Sequence, residues 1–253
     1  GGGILSIIAS SISKNKTDDH LRLNQYIAKT GVCSRREADQ FIAAGLVSVN
    51  DKLITQMGFK VGPNDIVKFN NETIRGERKK YLLLNKPKGF ICSDKHTPKN
   101  KSVKSLVQDA CKEILTPVDN MDRKSIGLLF FTNDYEMIDK IKSKKKNIKN
   151  IYHLQLDKKL ASDDMKNIIK GINIDDKFYK IEKISYVKNA SKKEIGIEMP
   201  SIKKNIIIKL LNHLNYKIIK LDRVYFCGLT KKDLPRGRYR MLKQQEVSML
   251  KMI

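Results

Sequence analysis

LRLNQYIAKTGVCSRREADQFIAAGLVSVNDKLI, residues 21–54, is the stretch from which the architecture is read. Leu23, Tyr26, Ile27 and Thr30 recur at helical spacing and Gly31 closes the segment, which predicts a short amphipathic helix. Ser34-Arg35-Arg36-Glu37 has the form of a capping box, in which a hydroxyl and a carboxylate satisfy each other's main-chain N–H groups. Ala38, Phe41 and Ile42 then give a buried stripe, and Gly45 a stop. The period changes to two at Val47 and Val49, Asn50-Asp51 makes a turn, and Leu53-Ile54 returns. A further turn at Gly62-Pro63-Asn64-Asp65 leads into a strand over residues 66–69. Two helices and a few short strands predict a compact α+β unit over residues 21–69.

Outward from this unit, residues 1–20 have an apolar middle with no basic segment before it, which fits a tail better than a secretory signal. Residues 70–80 are polar and basic around Gly76, as expected of a linker. A second domain is expected over residues 81–253. Its predicted strands cover residues 81–85, 90–92, 127–132, 152–156, 181–187, 195–199 and 217–221. Helices are predicted over residues 103–114, 162–170 and 205–214, with Asn133-Asp134 starting another and the lysine run at 142–149 exposed. Strands with interspersed helices, lacking a βαβ rhythm, predict α+β with a mixed, mostly antiparallel sheet.

The chain has 253 residues, 51 basic against 27 acidic side chains and a formal charge of +24. Such a charge favours a polyanionic partner, because phosphate neutralisation by Lys and Arg drives much of nucleic-acid affinity. At 40% hydrophobic residues the composition is that of a folded protein. No apolar run approaches the roughly 20 residues that cross a bilayer, so no membrane partner is expected. Cys33, Cys92, Cys111 and Cys227 are far apart with no C-x-x-C pair, and His96, His153 and His213 lack metal spacing, so no metal site is expected. Reduced thiols agree with a cytoplasmic location.

Residues 21–54 resemble the RNA-binding domain first described in ribosomal protein S-four. By that resemblance Arg22, Lys29, Ser34, Arg35 and Arg36 face phosphates, to which a helix N-terminus adds donors and a positive dipole end. From residue 21 almost to the end, the chain is similar to the RsuA/RluB family of ribosomal-RNA pseudouridine synthases. YLLLNKPKGFICS (81–93) matches the family's opening strand and turn, and VDNMDRKSIGLLFFTND (118–134) its catalytic segment. IYHLQL (151–156) matches the strand bearing the active-site tyrosine, and LDRVYFCGLTKKDLPRGRYRML (221–242) the closing motif. The resemblance implies conversion of uridine to pseudouridine in ribosomal RNA or pre-ribosomal particles, by a monomer without metal or organic cofactor.

It also implies roles. Asp122 is the match to the catalytic aspartate, Tyr152 stacks on the target base, Leu221 packs beneath it, and Lys209 is the carboxylate's basic partner. Lys86 is either a phosphate contact or a turn residue beside a hinge, and Lys88, Asn120, Arg123 and Arg223 are further expected RNA contacts. The chemistry has its own logic, since one ionised carboxylate in a closed pocket can attack the ribose anomeric carbon or abstract a ribose proton. A neighbouring cation would keep that carboxylate charged where burial would protonate it. Three positions depart from the family: Asn120, Ile206 and Leu210 stand where it has arginines. Two functions fit: a pseudouridine synthase, slightly favouring large-subunit RNA, or a noncatalytic paralogue serving as an RNA-binding or ribosome-assembly factor.

Overall fold

The computed structural model describes residues 20–62, 64–74, 78–93 and 101–253. The N-terminal tail to residue 19, Pro63 of the second turn, Gly76 of the expected linker and His96 lie outside the described residues. The chain divides into two compact units. One comprises residues 1–81, 113–116 and 132–140, and the other residues 82–112, 117–131 and 141–253.

In the first unit, α1 (Leu23–Lys29) is followed by α2 (Arg35–Ala43), which opens on the expected capping box: Ser34 Oγ accepts from Glu37 N at 3.1 Å, and Glu37 Oε1 from Ser34 N at 3.4 Å. A four-stranded antiparallel sheet follows, built from β1 (Val47–Val49), β2 (Lys52–Leu53), β3 (Val67–Phe69) and β4 (Glu72–Thr73) in the order β2-β1-β3-β4. Asn50 and Asp51 both take positive φ, as do Asn70 and Asn71, which makes each pair the tight turn of a hairpin. The second hairpin carries the sheet past residue 69, into the expected linker, and Ile74 joins Leu23, Ile27, Ala38, Val47 and Val67 in the core. Thus the polar composition at 70–73 marks a hairpin turn and an exposed edge strand.

The second unit is organised on a mixed sheet of β5 (Tyr81–Lys86), β6 (Ile126–Thr132), β7 (Lys149–Leu156), β8 (Lys183–Tyr186), β9 (Glu194–Pro200), β10 (Ile218–Phe226) and β11 (Tyr239–Met241). Their order is β8-β9-β7-β10-β6-β5-β11, with β10 parallel to β6 and the pairs β8/β9, β9/β7, β7/β10 and β5/β11 antiparallel. β6 is buried along its whole length, as a continuous apolar run requires, whereas β7 alternates buried and less buried residues. α3 (Tyr135–Ser143), most of which belongs to the first unit, follows Asn133-Asp134 as expected, and in the second unit α4 (Ser162–Lys170) and α5 (Lys204–His213) pack Ile168, Ile207, Leu210 and Leu211 against Leu154, Ile195 and Ile197. A final helix, α6 (Gln244–Lys251), is joined to β11 by a bidentate Arg240–Glu246 pair.

Gly127 explains how two central strands approach so closely. It lies opposite Arg223 in the parallel β6/β10 pair at φ +109°, and a Cβ there would stand 2.3 Å from the Arg223 carbonyl oxygen. Only glycine provides both that backbone angle and that clearance. The predicted helix over 103–114 is corrected to a single turn, Lys104–Val107. Ile114, the last residue of the predicted span, is 76% exposed, so the segment has no continuous face to bury.

Candidate active site

Asp122 sits in an irregular segment, residues 118–125, leading into β6. Its side chain is 59% exposed, with Oδ1 accepting from Ser125 N at 2.8 Å and Oδ2 lying 4.0 Å from Lys204 Nζ. Burial alone would raise the carboxyl pKa. The Ser125 hydroxyl and amide, with the Lys204 and Lys86 ammonium groups, outweigh that effect and hold it below the usual aspartate value. Asp122 is therefore ionised at neutral pH, the state required of a nucleophile or base.

Beside it opens a pocket lined in part by Asn120, Met121, Ser125, Tyr152, Lys204 and Leu221. Neighbouring antiparallel strands bring its walls together: Tyr152 of β7 lies opposite Arg223 of β10, and Leu154 opposite Leu221. Tyr152 is buried, and burial raises its phenol pKa, so the ring is neutral. The buried Asn150 side chain donates through Nδ2 to the Ser201 hydroxyl beside Tyr152, a contact that the sequence reading missed.

Several expected roles are corrected. Lys209 is not the basic partner of Asp122: its ammonium lies 3.9 Å from Asp175, and Lys204 holds the place beside Asp122. Five residues along a helix turn the side chain through about 140°, so the two lysines of α5 face different ways. Lys86 is wholly buried and makes no surface contact for RNA. Its ammonium donates to the carbonyls of Ser125 at 2.6 Å, Asp122 at 3.0 Å and Pro87 at 3.3 Å. Burial pushes Lys86 down to about 8; Cys92 and Asp122 oppose the fall, and Lys204 adds to it. Arg223 is likewise buried. Its guanidinium grips Asp119 at 2.6 and 3.0 Å, donates from Nε to the Leu128 carbonyl and lies over the Phe226 ring.

Lys88, Asn120 and Arg123 are exposed as expected, with Gly89 at φ +93° turning the chain so that its amide meets the Arg123 carbonyl. Leu210 is fully buried and Ile206 packs against the same core, so both positions serve α5 packing. In the first unit Arg22 and Arg36 are exposed and Lys29 is half-buried. Ser34 is buried with its hydroxyl spent on the helix cap, and Arg35 pairs with Glu136 at 2.9 Å. Of these five, Arg22, Lys29 and Arg36 remain as candidates to meet phosphate. Among the described residues, no helix is long and apolar enough to cross a membrane, and no group of three or more His, Cys, Asp or Glu is placed to hold a metal ion.

Comparison with known proteins matches residues 80–219 to the model of the RNA pseudouridylate synthases and residues 21–67 to that of the S4 domain. An uncharacterized RNA pseudouridine synthase of Aquifex aeolicus is 28% identical over 233 residues, covering 91% of this chain and 93% of the relative. The dual-specificity RNA pseudouridine synthase RluF of Escherichia coli K12 is also 28% identical, over 91% of this chain and 78% of its own. For ribosomal large subunit pseudouridine synthase B of Bacillus subtilis the figures are 28%, 91% and 95%. A crystal structure of a pseudouridylate synthase superposes with a TM-score of 0.61 at 21% identity, covering 91% of this chain and 99% of the other.

Proposed function

The chain belongs to the RNA pseudouridylate synthase family, and from that premise we propose that it isomerises uridine to pseudouridine in ribosomal RNA, with Asp122 as the catalytic carboxylate. The observation that carries this reading is an ionised aspartate, held by Ser125 and Lys204, beside a pocket walled by Tyr152 and Leu221. The reaction breaks the bond from C1′ to N1 and forms one from C1′ to C5. N1 gains a proton and C5 loses one. Asp122 serves by attacking C1′ or by removing a ribose proton, while Tyr152 stacks on the uracil and Leu221 supports it from below. The target nucleotide leaves its stack to reach them.

Support for ribosomal RNA comes from the Bacillus subtilis relative, which is named for the ribosomal large subunit. The S4 unit supplies RNA affinity through Arg22, Lys29 and Arg36, in keeping with the charge of +24. On this reading the protein acts as a cytoplasmic monomer on free RNA or a pre-ribosomal particle. A second reading, a noncatalytic RNA-binding or assembly factor, draws support from the neutral Asn120 at the pocket and from Ile206 and Leu210 packed into the core.

Pseudouridine mapping by carbodiimide primer-extension stops on unmodified ribosomal RNA, with wild type beside Asp122→Asn, separates the two. A stop made by the wild type and absent from the variant is the expected result. Salt-sensitive binding without any stop would favour the noncatalytic factor.

A further inference from the structure

Residues 118–125 form no helix or strand, so side chains that reach into the segment set its path. Cys92 Sγ lies 3.3 Å from the Met121 amide and 3.5 Å from the Met121 carbonyl. Lys86 holds the Asp122 and Ser125 carbonyls from β5. From the other side, β10, the loop is held through Asp119, three residues before Asp122, whose two oxygens take the two terminal nitrogens of Arg223. The Nε bond to Leu128 and the Phe226 ring fix that guanidinium in turn. A bidentate pair constrains both distance and orientation, and a buried arginine cannot give up its counter-ion without a large penalty.

We infer that Asp119 is a positioning residue for the reaction, its bidentate grip on buried Arg223 holding the Asp122 loop in register with Tyr152 and Leu221 across the pocket. This role rests on the proposed function. Asp119, Arg223 and Tyr152 all line the same pocket, and Arg223 lies opposite Tyr152 in the β7/β10 register. Arg223 pulls the Tyr152 phenol down while Asp119 pushes it up, so removing the Asp119 charge also lowers the pH at which the phenol ionises.

The test uses the full chain with Asp119→Asn, which keeps the shape and removes the charge, and Asp119→Glu, which keeps the charge. Tritium release from C5-labelled uridine in ribosomal RNA gives kcat and KM, and iodoacetamide labelling resolved by peptide mass gives loop order through Cys92. The asparagine variant is expected to lose about 10²-fold in kcat, the scale of an ångström misplacement, with KM within about twofold of wild type. Because the Asp119 charge raises both thiols, labelling is followed across pH and compared as the rate of the thiolate; that rate should rise at Cys92 and keep its wild-type value at buried Cys227, and the glutamate variant should recover most of the kcat. Wild-type kcat and Cys92 labelling in the asparagine variant would overturn the assignment. So would a parallel rise at Cys227, which would make the effect a general opening of the unit. If the wild type itself releases no tritium, the proposed function is what fails, and Cys92 labelling still decides whether Asp119 holds the loop.

Discussion

Lys86 and Asp122 meet through the main chain: the buried ammonium donates to the Asp122 carbonyl at 3.0 Å while the carboxylate faces the other way, to Ser125 N and Lys204. Lys86 is therefore a strut for the catalytic loop. Lys86→Met should leave three carbonyls without their donor, each costing about 1–3 kcal/mol where water cannot replace it. Turnover should fall about 10²-fold as the loop loosens. RNA affinity and its salt dependence should stay as in the wild type, because Lys86 neutralises no phosphate. A shallower slope of log affinity against log salt would return Lys86 to the RNA surface.

The same lysine sets an alkaline limit. With its pKa lowered by burial to about 8, Lys86 is an ammonium below that pH, with three N–H groups for three carbonyls; above it the neutral amine has two. Turnover should decline as pH rises through about 8. Asp122, held below the ordinary aspartate range, should leave the acid side flat down to about pH 5. Tritium release followed from pH 5 to 9.5 checks both limbs. A rate constant through pH 9, or an acid limb above pH 6, would contradict this assignment.

Lys204 and Lys209 lie on one helix and separate in effect. Lys204→Met removes the ammonium 4.0 Å from Asp122 and should lower kcat about tenfold while the carboxyl stays ionised at neutral pH, because the carboxylate loses the cation that holds it beside the pocket. Lys209→Met breaks an exposed pair with Asp175 and should change kcat by less than about twofold. Paired kinetics on the two variants give the comparison directly.

Gly127→Ala tests the central strand crossing. The added Cβ meets main-chain atoms of Arg223 that cannot swing away, and the backbone angle is one that L residues avoid. A loss of about 3 kcal/mol or more is expected from strain and overpacking together, read as a lower midpoint in urea unfolding.

On the S4 unit, Arg36→Glu should weaken RNA binding and flatten the salt slope by roughly 0.7–0.9 for each phosphate that is no longer neutralised. Ser34→Ala should act chiefly on stability, costing about 1 kcal/mol for the missing helix cap, which thermal unfolding would register. Filter binding over a range of salt distinguishes the two residues.

Much of the fold was legible because local rules and tertiary packing agree. The capping box at Ser34 and Glu37, the Asn50-Asp51 turn and the apolar run of β6 were read from a few adjacent residues and formed as expected. Residues 103–114 failed because their apolar pattern had no face to cover, and β4 because its composition resembled a linker. The pocket was legible in part: Tyr152 and Leu221 line it, whereas Lys209 points elsewhere on its helix. Lys86 and Arg223 are a different kind of miss. A cation in a sequence suggests solvent or phosphate, and only the folded chain shows carbonyls or a carboxylate enclosing it. Asp119 has no local signal in the sequence, since its partner lies 104 residues away.

The pairing of β5 with β11 bears on how the chain assembles as it is made. Asn85 on β5 binds Leu234 and Arg236, residues 149 and 151 positions further on, while Asp222 takes Lys231 and Arg236. β5 also pairs with β11, which is translated more than 150 residues after it. Until that segment leaves the ribosomal tunnel, the flank of β5 stays unzipped and the buried amide and carboxylate lack their partners. The second unit therefore finishes folding late, whereas the S4 unit, whose helices and four-stranded sheet all lie within residues 23–73, can close while most of the chain is still unmade.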